Sequence, residues 1–402
     1  MPVKVVAYLF LLTTLFGCSD GVKQIIVNQY SSDSDSINVE QDKTIVFKNI
    51  SFKDTIITNE DFLSVFIPES YLVNQSIFWN SADVSDPLKF QIEIKDSFDS
   101  NTITFFPSLT FITKTASLPL DLSTVKLTKD TIYESSHLPT NAIDALTDYV
   151  IPLYITSPEQ VRNVEKKPLS NIHFIRTDNK EDNGETACVK FEYTNGEKQY
   201  EQIIYGTLEK HFTQIESYNS TCEWRIKNIV SIRTAKGYLD DNIALFQTVI
   251  NSSRISPLWA YHYAFLCKNN LREKKHVTLS DYQNIFKHTP PLSEATELAD
   301  YHRLQNILRK TFLAYSMYKT QIEYYIDKDG INIALPKGYI AAWSSTASEI
   351  LLTEVPNFKP IQSGDVAWVQ IKRNESQSAF YFLDGSSAPD SGDPLVENDL
   401  FR

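Results

Sequence analysis

Cys188-Val189-Lys190-Phe191-Glu192-Tyr193-Thr194-Asn195-Gly196-Glu197-Lys198-Gln199-Tyr200-Glu201-Gln202-Ile203-Ile204-Tyr205 is the stretch on which the fold reading turns. Residues 188–193 and 199–205 are rich in β-branched and aromatic side chains, and Asn195-Gly196 stands between them. Asn-Gly suits a type I′ turn, whose two central residues both need a positive φ. The stretch therefore predicts a β-hairpin. Residues 224–232 predict a third strand, with Trp224, Ile226, Asn228, Val230 and Ile232 on one face. Arg225, Lys227, Ile229, Ser231 and Arg233 fall on the other, mostly polar, as in a half-buried strand.

Toward the N-terminus, residues 44–134 read mainly as β. The segments 44–47, 62–67, 72–79, 88–94 and 102–106 carry strand-forming residues, and polar clusters at 81–87 and 96–101 separate them. Ala142, Ile143, Leu146, Tyr149, Val150 and Leu153 recur at helical spacing and predict a helix over 140–154, stopped with the help of Pro158. After Gly237 the pattern turns helical over 239–250, 257–270, 279–288 and 292–326. Pro257 suits a first helical turn, Ser280-Asp281 offers a cap, and Pro290-Pro291 divides the last two helices. Leu298, Tyr301, Leu304, Ile307, Leu308, Phe312 and Tyr315 make an apolar stripe that must be covered. Residues 331–371 return to β, with Trp343 and Trp368. The fold class expected is α+β. A mainly β region over 44–235 carries a helix on one face; a helical unit over 236–326, a short β-rich segment over 327–373 and a loose tail over 374–402 follow.

Residues 1–17 read as a signal peptide. Lys4 gives the positive start, and residues 5–16 carry no charge. That run is short of the roughly 20 residues needed to span a bilayer. It ends in Leu15-Phe16-Gly17-Cys18, which resembles the lipobox of bacterial lipoproteins. The resemblance implies that the Cys18 thiol takes a diacylglycerol, that cleavage precedes it, and that the new amine is acylated. Several acyl chains anchor a protein where one does not. Residues 18–43 form the expected lipidated tether, with the polar run Ser31-Ser32-Asp33-Ser34-Asp35-Ser36. The address implied is the bacterial cell envelope, at the outer membrane or cell surface rather than the inner membrane.

The 402 residues carry a formal charge of -12, or -13 once Lys4 leaves with the signal peptide. So acidic a body repels nucleic acid and anionic lipid headgroups, and no nucleic-acid partner is expected. Lys166, Lys167, Lys268, Arg272, Lys274 and Lys275 are the candidates for a local basic patch; their plain reading is a solvated helix end. Gly is scarce, at 11 residues, and neither GxGxxG nor GxxxxGK[ST] occurs, which disfavours nucleotide enzymes. GxSxG, HExxH and EF-hand patterns are missing too. His137, His173, His211, His262, His276, His288 and His302 are scattered, so no metal or cofactor is expected. Asp240-Asp241 fits a helix start. Cys188, Cys222 and Cys267 lack CxxC spacing. If one disulfide forms it joins Cys188 and Cys222, which both flank strands, and contributes about 3–4 kcal/mol by loop closure. Cys267 reads as a buried thiol in a helix; His262, five residues earlier, is poorly placed to activate it.

Several phrases together resemble a loose family of exported bacterial proteins with no assigned activity. They are Phe66-Ile67-Pro68-Glu69-Ser70-Tyr71 with Ile77-Phe78-Trp79-Asn80, and Cys222-Glu223-Trp224 with 231–237. The run 250–259, Leu335-Pro336-Lys337-Gly338-Tyr339 with Trp343, and Pro356-Asn357 with Trp368 complete the set. Thr234-Ala235-Lys236-Gly237 and Ser256-Pro257 stand where Ala-Pro-Lys-Gly and Asn-Pro would be expected. The resemblance covers roughly residues 60–371, bears on the fold, and carries over no site. Two functions are open. The first is a non-catalytic envelope protein that binds a protein, peptide or glycan. The second is an exported hydrolase whose site forms only in the fold, betrayed by a cleft with converging titratable groups.

Overall fold

The computed structural model describes residues 44–374 except 82, 84–85, 99, 115–132, 135–136, 156–159, 176–180, 217–218, 274–277, 290–293, 318, 320, 328–331 and 363–364. The expected signal peptide, Cys18, the tether and the tail from 375 lie outside the described residues.

The fold is α+β, and its strands pair almost wholly antiparallel. The strands begin with β1 (Thr44–Lys53), β2 (Asp61–Pro68), β3 (Leu72–Trp79), β4 (Leu88–Lys95), β5 (Thr102–Phe105), β6 (Leu109–Lys114) and β7 (Tyr133–Glu134). Long strands follow: β8 (Arg162–Ile175), β9 (Glu181–Asn195), β10 (Lys198–Glu216) and β11 (Asn219–Ala235). The last are β12 (Arg254–Ile255), β13 (Ile322–Ile326), β14 (Asn332–Pro336), β15 (Ala341–Ser345), β16 (Glu349–Thr353) and β17 (Trp368–Arg373). One sheet runs β3-β4-β5-β11-β10-β9-β8, with β6 paired to β11 and β7 to β6. The other runs β12-β2-β1-β16-β15-β17-β13-β14, so the first strands share a sheet with the last and cross the expected boundaries at 235 and 326.

The hairpin forms, one residue out of its expected phase. Lys198 pairs with Asn195, which leaves Gly196-Glu197 as the loop. Gly196 has φ +62° and Glu197 has no positive φ, the type II′ pattern rather than type I′. The expected face assignment of β11 fails at its middle. Tyr205 pairs with Val230 but Thr207 pairs with Lys227, so Gly206 faces the extra residues Asn228 and Ile229 in a β-bulge. Asn228 takes φ +51°, a conformation that Asn tolerates better than a branched side chain. The bulge shifts the alternation by one. Val230 and Ile232 enter one core, while Trp224 and Ile226 enter the core on the opposite face.

The 142–154 helix lies on that second face. It comprises α1 (Ala142–Ala145), a π-helical turn (Leu146–Val150) and α2 (Ile151–Tyr154). Asn141 caps it by accepting from Asp144 N at 3.0 Å. Pro152 explains the wide turn: it has no N–H, and its ring would clash with a carbonyl four residues back. Leu146 sits against Gly206, where an added Cβ would come within 2.7 Å of Leu146 Cδ2. Phe111 and Trp224 stack face to face in this core at 4.0 Å.

The other face meets α3 (Leu239–Asn251), α4 (Pro257–Glu273) and α6 (Glu294–Ser316) together with β2; α5 (Leu279–Lys287) packs through Tyr282 in a small satellite cluster. Asp240 and Asp241 stand in the first turn of α3 as expected. Leu308, Phe312 and Tyr315 of the α6 stripe pack into the core, so that part of the stripe is covered within the chain. The helix stops at Ser316, short of the expected 326, and 322–326 is strand. Gln247 of α3, 2% exposed, supplies the reason. It donates to the Ser316 and Lys319 carbonyls and accepts from Gln321 N at 3.0 Å, replacing the bonds that a longer helix would make.

Candidate functional site

The bulge has an electrostatic consequence. Beyond it, the face of β10 and β11 that would have carried Trp224 and Ile226 carries Thr207, Glu209, Arg225 and Lys227 instead. Glu209 is 3% exposed and Arg225 7%. Lys227 Nζ meets Glu209 Oε2 at 2.9 Å, and Arg225 pairs with Glu223. The connection from β3 to β4 brings Asp83 and Asp86 to the same place, and β4 brings Lys89. Lys89 Nζ donates to Asp83 at 2.8 Å, to Asp86 at 3.4 Å and to Ser108 Oγ at 2.7 Å. Ser108 donates to Asp86, Thr110 to Asp83 at 2.6 Å, and Tyr263 OH to Asp86 Oδ1 at 2.7 Å.

These contacts favour the ionised forms of Asp86 and Glu209. Burial pushes Asp86 up, but Lys89, Lys227 and the bonds from Ser108 and Tyr263 more than reverse it, and the carboxyl ends well below the usual range. Glu209 is likewise raised by burial, then drawn down to about 2 by Lys227, His211 and Arg225. Glu209 in turn raises Lys227 against the effect of its burial.

Next to this network lies a cavity of about 210 Å³. Its apolar wall includes Phe62, Leu88, Phe105, Trp259, Leu308 and Phe312; Asp86, Ser108, Glu209, Lys227 and Asn228 close one end. Trp259 is 6% exposed, and its Nε1 has no hydrogen-bond acceptor. Its ring stacks on Tyr263 at 4.6 Å. The volume exceeds the roughly 150 Å³ that admits a benzene ring and falls below the roughly 300 Å³ at which drug-sized pockets begin.

No protein-family model and no curated protein matches this chain. The chemistry is therefore read from the geometry. Ser108 between Lys89 and Asp86 has the residue types of a serine–lysine hydrolase. A lysine acting as base needs a free lone pair, yet Lys89 Nζ is surrounded by three hydrogen-bonding oxygens, two of them from the carboxyls of Asp83 and Asp86. The low-lying carboxyls Asp86 and Glu209 are weak bases at neutral pH. The arrangement suits binding better than proton transfer.

The disulfide expectation is corrected. Cys188, Cys222 and Cys267 are free and buried. Cys188 pairs with Tyr205 and Cys222 with Phe212, seven positions along β10 from 205 to 212. At roughly 3.3 Å per residue that is about 23 Å, far beyond the ~7 Å Cα limit of a disulfide. The two thiols also sit in cores on opposite faces of the sheet. Cys267 is in α4 as expected, and burial, with Asp86 nearby, pushes its thiol up to about 12. His262 turns instead to Glu60, at 2.9 Å. Lys166 and Lys167 lie on β8 rather than at a helix end. Among the described residues, no group of three or more His, Cys, Asp and Glu side chains is placed to hold a metal ion. No helix among them is long and apolar enough to cross a membrane.

Asp83, Asp86, Lys89, Glu209 and Lys227 were not singled out by the sequence. Lys227 and Glu209 stand on different strands, and Asp83 and Asp86, though close to Lys89 in sequence, lie in a connection where no spacing rule announces a pair. One signal was available: Lys89 stands between Leu88 and Phe90 in a strand-like run.

Proposed function

We propose that this chain is a lipid-anchored protein of a bacterial cell envelope, attached through Cys18, that works by binding rather than catalysis. Its ligand in the bulge cavity is small, uncharged and mainly apolar. The observation that carries the reading is an apolar cavity whose charged end is already paired: Lys227 with Glu209, and Lys89 with Asp83 and Asp86. An incoming ion would be stripped of water and find each counter-charge engaged, a cost that a neutral ligand avoids. The signal-like 1–17 segment and the lipobox-like 15–18 segment support the anchor.

Calorimetric titration with 1-naphthol and with octanoate tests the binding. 1-Naphthol is expected to bind and octanoate not. Leu308→Trp, which fills the cavity, is expected to abolish 1-naphthol binding while the thermal transition stays cooperative. Tighter binding of octanoate, or labelling of Ser108 by a fluorophosphonate probe, would overturn the reading in favour of an anion site or a hydrolase. Intact mass spectrometry of membrane-extracted protein tests the anchor; a mature chain without lipid on Cys18 rejects it.

A further inference from the structure

We propose that a second pocket, on the helix-bearing face of the first sheet among Glu93, Gln202 and Arg233, binds one polyhydroxylated ring of the hexopyranose class. Where β4, β5, β11 and β10 lie side by side, their residues facing away from the first core are polar in two adjacent cross-strand rows. One row is Glu93, Thr104 and Ser231, and it ends at β10 on the apolar Ile204; the other is Lys95, Thr102, Arg233 and Gln202. Side chains in such rows are near neighbours, at about 4.5–5.5 Å between Cβ atoms. Strand faces buried this deeply are ordinarily apolar, and this same face is apolar under the 142–154 helix. Here Thr102 is 4% exposed, Ser231 3% and Gln202 4%. They line a pocket of about 170 Å³ walled by Phe106, Tyr154 and Tyr193.

Three features fit a neutral polyol. Gln202 donates through Nε2 to Ser231 Oγ at 2.5 Å, and its Oε1 is buried with no partner. A buried acceptor left unmade costs roughly 1–3 kcal/mol, so a donor from a ligand is favoured there. Arg233 is oriented by a bond to Thr102 Oγ1 at 2.9 Å and lies 5.0 Å over the Tyr200 ring, while Glu93 pairs with Lys95 at 3.2 Å. The pocket thus mixes donors with acceptors and has no sign bias, which selects hydroxyls over phosphate or ammonium groups. The aromatic walls offer surface to the C–H faces of a ring.

Saturation-transfer NMR on the full chain tests this, with the methyl glycosides of glucose, mannose, galactose and N-acetylglucosamine as probes. At least one is expected to show transfer, with Kd on the order of 1 mM. Gln202→Met should weaken it at least about tenfold, or 1.4 kcal/mol. It should leave the melting temperature equal or higher, because the unmet acceptor goes with the amide. Unchanged 1-naphthol binding by Gln202→Met keeps this outcome separate from that of the bulge cavity. Transfer from none of the four glycosides, or full binding by Gln202→Met, overturns the proposal.

Discussion

Gln247 shows how much one side chain decides. Its amide ends α6 by serving the carbonyl of the helix's last residue and one carbonyl and one N–H beyond it. Gln247→Ala leaves these buried and part-buried groups unmet, and should cost about 1–3 kcal/mol in urea denaturation. Glu209 makes a second prediction, with a definite sign. Its folded value, about 2, lies below the ordinary 4.5. Its contribution is then complete above the unfolded value and is lost as pH falls from about 4.5 toward about 2. The shift corresponds to something on the order of 3 kcal/mol at neutral pH. Thermal melts over that window should fall less steeply for Glu209→Gln than for the parent. Neither residue was legible beforehand. Gln247 occupies one position of an ordinary amphipathic helix, and its partners lie about seventy residues away.

At the level of elements, local pattern was read well and interruptions of it were not. The hairpin needs only alternation and a turn residue, and both are contiguous in 188–205. The turn phase slipped by one because Gly196 alone supplies the positive φ, which leaves Asn195 free to remain in the strand. The bulge was invisible for a related reason. Ile226, Asn228, Val230 continue a clean alternation on paper, and only pairing with Gly206 shows the extra residue. The disulfide expectation failed with it, since both cysteines flank strands but reach opposite faces. Asn228 is the residue on which the bulge turns. Asn228→Gly should stay within about 1 kcal/mol of the parent, whereas Asn228→Val should lose about 2 kcal/mol or more, because a branched residue resists φ +51°. Equal stability of the two variants would show that β11 pairs without the bulge.

For the whole molecule, the two buried faces of the long-stranded sheet leave the thiols out of reach. Burial pushes Cys188 and Cys267 up to about 12 and raises Cys222 as well. Native protein prepared without residues 1–43, and so without Cys18, should therefore stay inert to Ellman's reagent and show three thiol equivalents once denatured, from Cys188, Cys222 and Cys267. A single equivalent would restore the disulfide. The joining of β1 to β16 has a consequence of another kind, which concerns time. The Thr44 hydroxyl lies 3.3 Å from that of Thr353, 309 positions later. During synthesis Thr44 of β1 is therefore made 309 residues before its partner, and for that interval one edge of β1 is bare. Bare edges invite pairing with other chains, and contacts this distant in sequence form slowly. Such a chain gains from being kept unfolded until β16 has emerged, which is the condition in which a polypeptide can be threaded through a narrow translocation pore.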